Sequence, residues 1–508
     1  MTARYPGAVR WVPLALAVAA SLGSVASIGC SEPSLDPRAA EIASVMAAAD
    51  APLLHARPAL VAGKYELMAS DPYSYYRGSL AVYRSDWQRA ASGISTSPFA
   101  LEASSGGVAL PLGIGDPHPE NFGILRAADG SFGLEANDFD SADRVPYLWD
   151  LRRLLAGLGL FARLGNPSDA SAAALLAQGS KAIVRAAALS YATSMLAFAK
   201  GAPRERITSA GGAVVLQDLF DRSAEDTTSR AELDLTTVGA HGRRFVRGVP
   251  DPTTPYQILQ DLSPDGLAAL PAALSAYRST LLHPPPAEYF TLLDAVREMG
   301  SGVASWPKVR VLLLVRGSTD DPGDDVMLEL KELGDSAVAT DYPPSVYFDT
   351  DQDRVLEATR SAWGRPDADP LWGTSSLLGL PVQIKTETEG EKGLKLKRID
   401  KDRGTPEAVT ALAISLGALL ARIHAAPTRD GVDPAPVIAA AIGARSNDFA
   451  DEEAEVSDAY AAQVLADHES FAAALAALGP RLGLPIDDDD APRPDLAELF
   501  GTPPEAHP

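Results

Sequence analysis

The sequence predicts an α+β fold, and three observations carry that expectation. Two segments of apolar residues close on turn chemistry as hairpins do, Gly123 to Asp138 around Asp129-Gly130 and Lys308 to Leu333 around the polar stretch Ser318 to Asp325. Long segments of helical spacing follow them, Tyr147 to Leu164, Ser168 toward Lys200, and Glu407 to Ala425. Finally, 508 residues at 53.2 kDa, 46% hydrophobic and 22% charged, are enough for a large core and fall in the globular range.

Along the chain, two basic residues, Arg4 and Arg10, precede an apolar stretch from Trp11 to Ile28 that ends at Gly29-Cys30, the layout of a secretory signal. Small Gly29 before the cysteine resembles a bacterial lipobox, with Ser27 in place of the usual leucine. Lipidation is therefore expected at Cys30 after removal of residues 1–29. The competing reading is an uncleaved anchor helix, since residues 11–31 carry no charge. Residues 30–55 read as a tether in which polar, proline-bearing Ser31 to Arg38 precedes a first helical pattern near Ala39. A folded domain is expected over 56–478 and an acidic, Pro-rich tail over 479–508.

Within the domain, Thr96 to Asn121 is rich in Gly and Pro and reads as loop. Ser168 is the expected cap of the helix toward Lys200, and Pro264 to Leu282 and Ala287 to Met299 read as further helices. After the second hairpin, Arg354 to Trp363 reads as helix and Leu380 to Ile399 as two strands across Glu387 to Lys392. Asp448 to Leu478 closes the domain as an amphipathic helix. The run Asp487 to Asp490 lacks the alternation and turn glycine of a calcium loop and reads as solvated.

Composition excludes some functions. A net charge of −23 and a pI near 4.7 repel a phosphate backbone, so nucleic acid is not an expected partner. Removing residues 1–29 takes away two positive charges and no negative one, leaving −25. A single cysteine rules out an internal disulfide.

The chemistry concentrates in Gly115-Asp116-Pro117-His118-Pro119-Glu120-Asn121 and Asn137-Asp138-Phe139-Asp140. An Asp, an Asn five positions on, and a further Asp across a hairpin is how phosphotransferases place a base and two metal ligands. The base orients a hydroxyl, while hard oxygen donors hold Mg²⁺ against phosphates. Asx-turns account for any one of these residues alone; their order and co-occurrence argue for the site.

GDPHPENFG, NDFD and PYLWDLRRL resemble the bacterial domain-of-unknown-function 2252 family, whose motifs are similar to the catalytic and metal-binding loops of aminoglycoside phosphotransferases and other kinase-like enzymes. KYELMASDPYSYYRGS from Lys64, LELKEL around Lys331, RVLEATR around Glu357, LARIHA around His424 and YAAQVLADH around Asp467 extend the resemblance over residues 60–478. It implies a kinase-like bilobal fold. Asp116 is then the catalytic base, Asn121 and Asp138 metal ligands with Asp140 a third, and Asp150 a buried brace. His118 belongs to the catalytic loop, as a hydrogen-bonded structural imidazole before a general base. Lys331 on a strand and Glu357 on the next helix are the expected pair that holds nucleotide phosphates, under a loop at Gly300-Ser301-Gly302. Arg77 and Lys64 are candidate phosphate or substrate contacts, Arg77 equally a structural ion-pair partner of an acidic loop, and Tyr73, Tyr75 and Tyr76 are expected in the core. The catalytic loop, at about 100–165, precedes the lysine-bearing small β lobe, at about 290–400, which implies a permuted order.

The implied function is a metal- and nucleotide-dependent phosphotransferase acting on a hydroxyl of an unidentified acceptor, with Mg²⁺ and ATP or another nucleotide as cofactors. The alternative is a catalytically inactive, kinase-like binding lipoprotein of the cell envelope; hydrolysis of a phosphate ester would use the same carboxylates. The expected partners are the membrane, through the lipid anchor, and a small-molecule or envelope acceptor.

Overall fold

Prolines begin five of the helices. With its missing N–H and fixed φ, proline is suited to the first helical turn, where no N–H partner exists anyway. Pro37, Pro58, Pro72, Pro264 and Pro406 open α1 (Pro37–Ala56), α2 (Pro58–Ser70), α3 (Pro72–Gly78), and later α9 (Pro264–Arg278) and α11 (Pro406–His424). Asp36 caps α1 and Asp71 caps α3, accepting from Ser74 N at 2.6 Å. The computed structural model describes residues 35–484 apart from 90–91, 102–109, 167, 226–234, 241, 249–258, 338–347, 388–391, 429–430 and 432. Cys30, the signal segment and the acidic tail from 485 lie outside the described residues. The tether expected over 30–55 is corrected from Pro37 onward, because α1 buries Ile42, Met46 and Leu54 instead of standing free.

The remaining α-helices among the described residues are α4 (Leu80–Gln88), α5 (Tyr147–Leu164), α6 (Ala170–Gln178), α7 (Ser180–Phe198), α8 (Val214–Glu225), α10 (Asp351–Ala362), α12 (Ala435–Ile442) and α13 (Ser446–Leu478). Asp169, not Ser168, caps α6, and the single helix expected toward Lys200 is two, interrupted at Gly179. Helices α5, α7, α11 and α13 pack on one another around Trp149, Leu158, Tyr191, Leu416 and Phe449, all fully buried. Each such side chain contributes about 1.5–3 kcal/mol by leaving water. Gly417 of α11 lies against the Ala187 backbone of α7, where an added Cβ would sit 2.2 Å from the carbonyl oxygen. Among the described residues α11 alone is long and apolar enough to cross a membrane, yet it is mostly buried in this core.

The strands are β1 (Leu112–Gly113), β2 (Phe122–Arg126), β3 (Phe132–Ala136), β4 (Asp143–Arg144), β5 (Thr236–Gly239), β6 (Gly242–Phe245), β7 (Leu259–Gln260), β8 (Leu292–Glu298), β9 (Arg310–Val315), β10 (Val326–Glu332), β11 (Gly373–Leu377), β12 (Leu380–Thr386) and β13 (Lys392–Gly393). Both expected hairpins form, β2–β3 with Gly130 at φ 81° in the turn, and β9–β10. The larger sheet runs β11-β12-β10-β9-β8-β7, and β13 joins β2 and β3 in a smaller one. Three expectations change here. Ala287 to Met299 is not a helix: after one short 3₁₀ turn, Leu292–Glu298 is a strand paired with β9. The second strand expected before Ile399 shrinks to Lys392–Gly393 and pairs with β2. Gly373–Leu377, unpredicted, takes the edge beside β12.

Register fixes the facing of the larger sheet, since directly paired residues share a face. Leu330, Val311 and Ile384 are in register and pack under Leu270, Leu274 and Tyr277 of α9. Lys331 is in register with Arg310 and Gln383, and Arg310 with Glu298, so these polar side chains take the opposite face. The fold is thus mixed α and β with several sheets.

Candidate functional site

The loop from Ile114 to Asn121 is held from beneath by Asp150 in the first turn of α5. Its carboxylate accepts from Ile114 N at 2.6 Å and Gly115 N at 3.0 Å, and Trp149 Nε1 donates to Gly115 O at 2.8 Å. Asp150 also meets His424 Nε2 at 3.2 Å, while Tyr191 and His424 Nδ1 are 2.8 Å apart, so the last turn of α11 sits directly behind the loop. Gly115, at φ 82°, is where the loop touches the next one: a Cβ there would lie 1.9 Å from Ser141 O.

Above this brace a cavity of about 70 Å³ is lined by Arg77, Asp116, His118, Asn121, Asp138, Asp140, Ser141, Val303 to Ser305, Lys308 and Lys331. Lys331 crosses from the larger sheet to reach Asp138 at 3.1 Å and Asp140 at 2.8 Å. Lys308, just before β9, reaches the same Asp140 oxygen at 3.0 Å. Burial alone would raise the Asp140 carboxyl, but the two ammonium groups overcome it and hold the group well below the usual carboxylate range. Asp138, one-third exposed, is the more open carboxylate.

Asp116 answers to a different cation. Arg153, one turn after Asp150 on α5, donates through Nε to Asp116 Oδ1 at 2.7 Å, and its guanidinium stacks 3.8 Å from the centre of the Tyr76 ring. Burial nonetheless pushes the Asp116 carboxyl up, against the pull of Arg153. Asn121 donates its amide nitrogen to Asp116 O at 2.8 Å, leaving its oxygen as a donor to an ion. His118 is buried edge-on to Tyr73, and burial, with Arg77 and Arg153 nearby, drives its pKa well below the ordinary 6.5. Its Nδ1 has no partner among the described residues. Arg77 lies at the cavity edge, 3.1 Å from Glu120.

One expected partnership is corrected. Glu357 does not hold Lys331: the buried face of α10 is set by Arg354, Val355, Ala358 and Ala362, which turns Glu357 outward into a separate surface cleft with Asp353 and Arg360. The residue of this helix that serves the site is Arg354, whose guanidinium donates to the carbonyls of Asp140 (2.9 Å), Ala142 and Gly334 (2.7 Å). Lys64 is likewise engaged elsewhere, bonded to Asp50 at 2.7 and 2.9 Å. Gly300 and Gly302, at φ 61° and 81°, begin the segment that brings Val303 to Ser305 over the cavity. Ser305 is fixed there by Arg310 Nη2 at 3.2 Å, and Glu329 and Glu298 clasp Arg310 from behind. Lys308 lies in none of the motifs that carry the resemblance, while Arg153 and Arg354 fall inside PYLWDLRRL and RVLEATR with no role implied for them; Arg153 has a local signal as well, its spacing of one turn from Asp150.

The oxygen donors fit a hard divalent ion. Asp140 Oδ1 is buried without a partner among the described residues, beside Asp138 and the Asn121 amide. No group of three or more His, Cys, Asp or Glu side chains that could hold a metal occurs among the described residues. An ion here would rest on two carboxylates and an amide oxygen and keep waters, as Mg²⁺ tolerates. The three carboxylates and three cations of the lining otherwise balance.

A protein-family model described as "Uncharacterized protein conserved in bacteria (DUF2252)" matches residues 56–474. No curated protein and no solved structure matches the chain.

Proposed function

The chain belongs to this bacterial family, and from that premise we propose a metal- and nucleotide-dependent phosphotransferase that acts on a hydroxyl of an acceptor, built on a kinase-like bilobal fold of permuted motif order. The observation that carries the reading is Lys331 reaching Asp138 and Asp140 across the cavity that Asp116 and Asn121 also line. Asn121, Asp138 and Asp140 would hold Mg²⁺, which would supply charge neutralisation at the transferring phosphoryl group. Lys331 and Lys308 carry positive charge to the same place. Asp116, its basicity raised by burial, stands where it can accept the proton of an acceptor hydroxyl through the oxygen that Arg153 leaves open. Arg153 orients that carboxylate, and His118, held neutral, shapes the loop without competing for the proton.

The cavity volume of about 70 Å³ takes a phosphate end alone, so the rest of a nucleotide has to lie outside it. That same size favours the second reading, a kinase-like binding lipoprotein without turnover. In both readings Cys30 anchors the chain to a membrane of the bacterial envelope. A thermal shift of the purified chain with Mg²⁺ plus ATP, GTP or no nucleotide tests the first reading, because selective binding stabilises by mass action. Stabilisation that needs both metal and nucleotide supports it; none under any combination leaves the second.

A further inference from the structure

A second polar cavity, of about 170 Å³, lies where α10 and α11 end, lined by Arg204, Ser361, Trp363, Gly364, Arg422 and Ala426 among others. Glu135 of β3, fully buried, accepts from Arg206 Nε at 2.9 Å, from Gly364 N at 3.1 Å and from Arg422 Nη2. Arg422 Nη2 also meets Ala362 O at 3.2 Å, and Arg204 donates to Ala425 O. Arg422 is 4% exposed, yet its Nε and Nη1 have no partner among the described residues. A buried guanidinium with two unused donor nitrogens is costly unless something accepts from them.

The charge balance says what that acceptor is. Arg206 and Arg422 share one carboxylate, Glu135, and Arg204 bonds Ala425 O beside the carbonyl ends of two helices, each worth roughly half a negative charge. About one positive charge is left over, in a chain whose net charge is −23. Arg365 is engaged by Asp129 at 2.6 Å and Asp367 at 2.7 Å and does not alter the surplus inside the cavity. Waters in the cavity would accept from these N–H groups but leave the charge. We propose that this cavity binds a small oxyanion, a phosphate or a carboxylate group, through Arg422 and Arg204. Its occupant would bear on the last turn of α11, two residues before His424, which meets Asp150 under the catalytic loop. The cavity is separate from the one that Asp116 lines and needs no assumption about phosphoryl transfer.

Inorganic phosphate and acetate, titrated separately by calorimetry into the whole protein, test the proposal and tell the two oxyanions apart. We expect at least one to bind, Arg204→Ser and Arg422→Lys each to weaken it roughly tenfold or more, and Lys181→Met, at an exposed ion pair of α7 outside both cavities, to leave it unchanged. Arg204 is exposed, so its variant keeps the test intact should Arg422→Lys fail to fold. Heat from neither anion at millimolar concentration overturns the proposal. So does binding lost in Lys331→Met and unchanged in Arg204→Ser, which would put the anion beside Asp116.

Discussion

Asp116 and Asp138 line one cavity but answer to different cations, Arg153 and Lys331, and that separation predicts different failures. Asp138→Asn removes a charged donor from the proposed metal site, so Mg²⁺-dependent nucleotide binding should weaken by about tenfold or more in an equilibrium titration. Asp116→Asn keeps an oxygen for Arg153 Nε, so binding should persist while turnover drops by roughly a hundredfold to ten-thousandfold. His118 adds a pH effect. Its folded-state pKa lies well below 6.5, so under acid the unfolded chain takes up a proton that the folded chain refuses. Stability should therefore fall as pH drops below about 6.5, and His118→Gln should flatten that part of the profile in denaturant unfolding at pH 7, 6 and 5. An unchanged slope would remove His118 as the cause. At this scale the Asp116 and Asp138 loops were legible because spacing within a loop is local. Lys308 and Arg354 were not, because their value comes from contacts 168 and 214 residues away in sequence.

Elements were legible where turn and capping chemistry agreed with apolar spacing. Gly130 marks β2–β3, Pro406 starts α11, and Tyr147–Leu164 has the expected bounds. Leu292–Glu298 was misread as helix because a short apolar segment fits either period, and pairing with β9 decides it. Gly417 shows how closely the central helices rely on contact: Gly417→Ala places a methyl on the Ala187 backbone, and neither helix can yield locally. The expected loss is about 1–3 kcal/mol in denaturant unfolding, and a neutral variant would contradict this packing. Gly115→Ala should cost stability too, since its φ is positive and its Cβ would meet Ser141 O, and by separating the Asp116 loop from Ser141 it should also lower nucleotide binding in an equilibrium titration.

At the scale of the molecule, the order of the motifs carries the account. The Asp116 loop comes about two hundred residues before Lys331, and α11, later still, supplies His424 behind the loop. The motif order implied a permuted arrangement, with the Asp116 loop ahead of the lysine-bearing sheet. It did not predict that Glu357 turns away, since which face of α10 is buried depends on Arg354 and the loops it binds. The N-terminus makes a separate prediction, that Cys30→Ala releases or mis-sorts the chain; fractionation should find the wild type membrane-associated and fatty acid on Cys30 by mass spectrometry. The central claim is that Lys331, Asp138 and Asp140 form a phosphate and metal site, and calorimetric titration of ATP with Mg²⁺ into wild type and Lys331→Met tests it most directly. Saturable, Mg²⁺-dependent binding to wild type that weakens by about tenfold or more in the variant is the predicted result; equal binding by both proteins, or none by wild type, would contradict it.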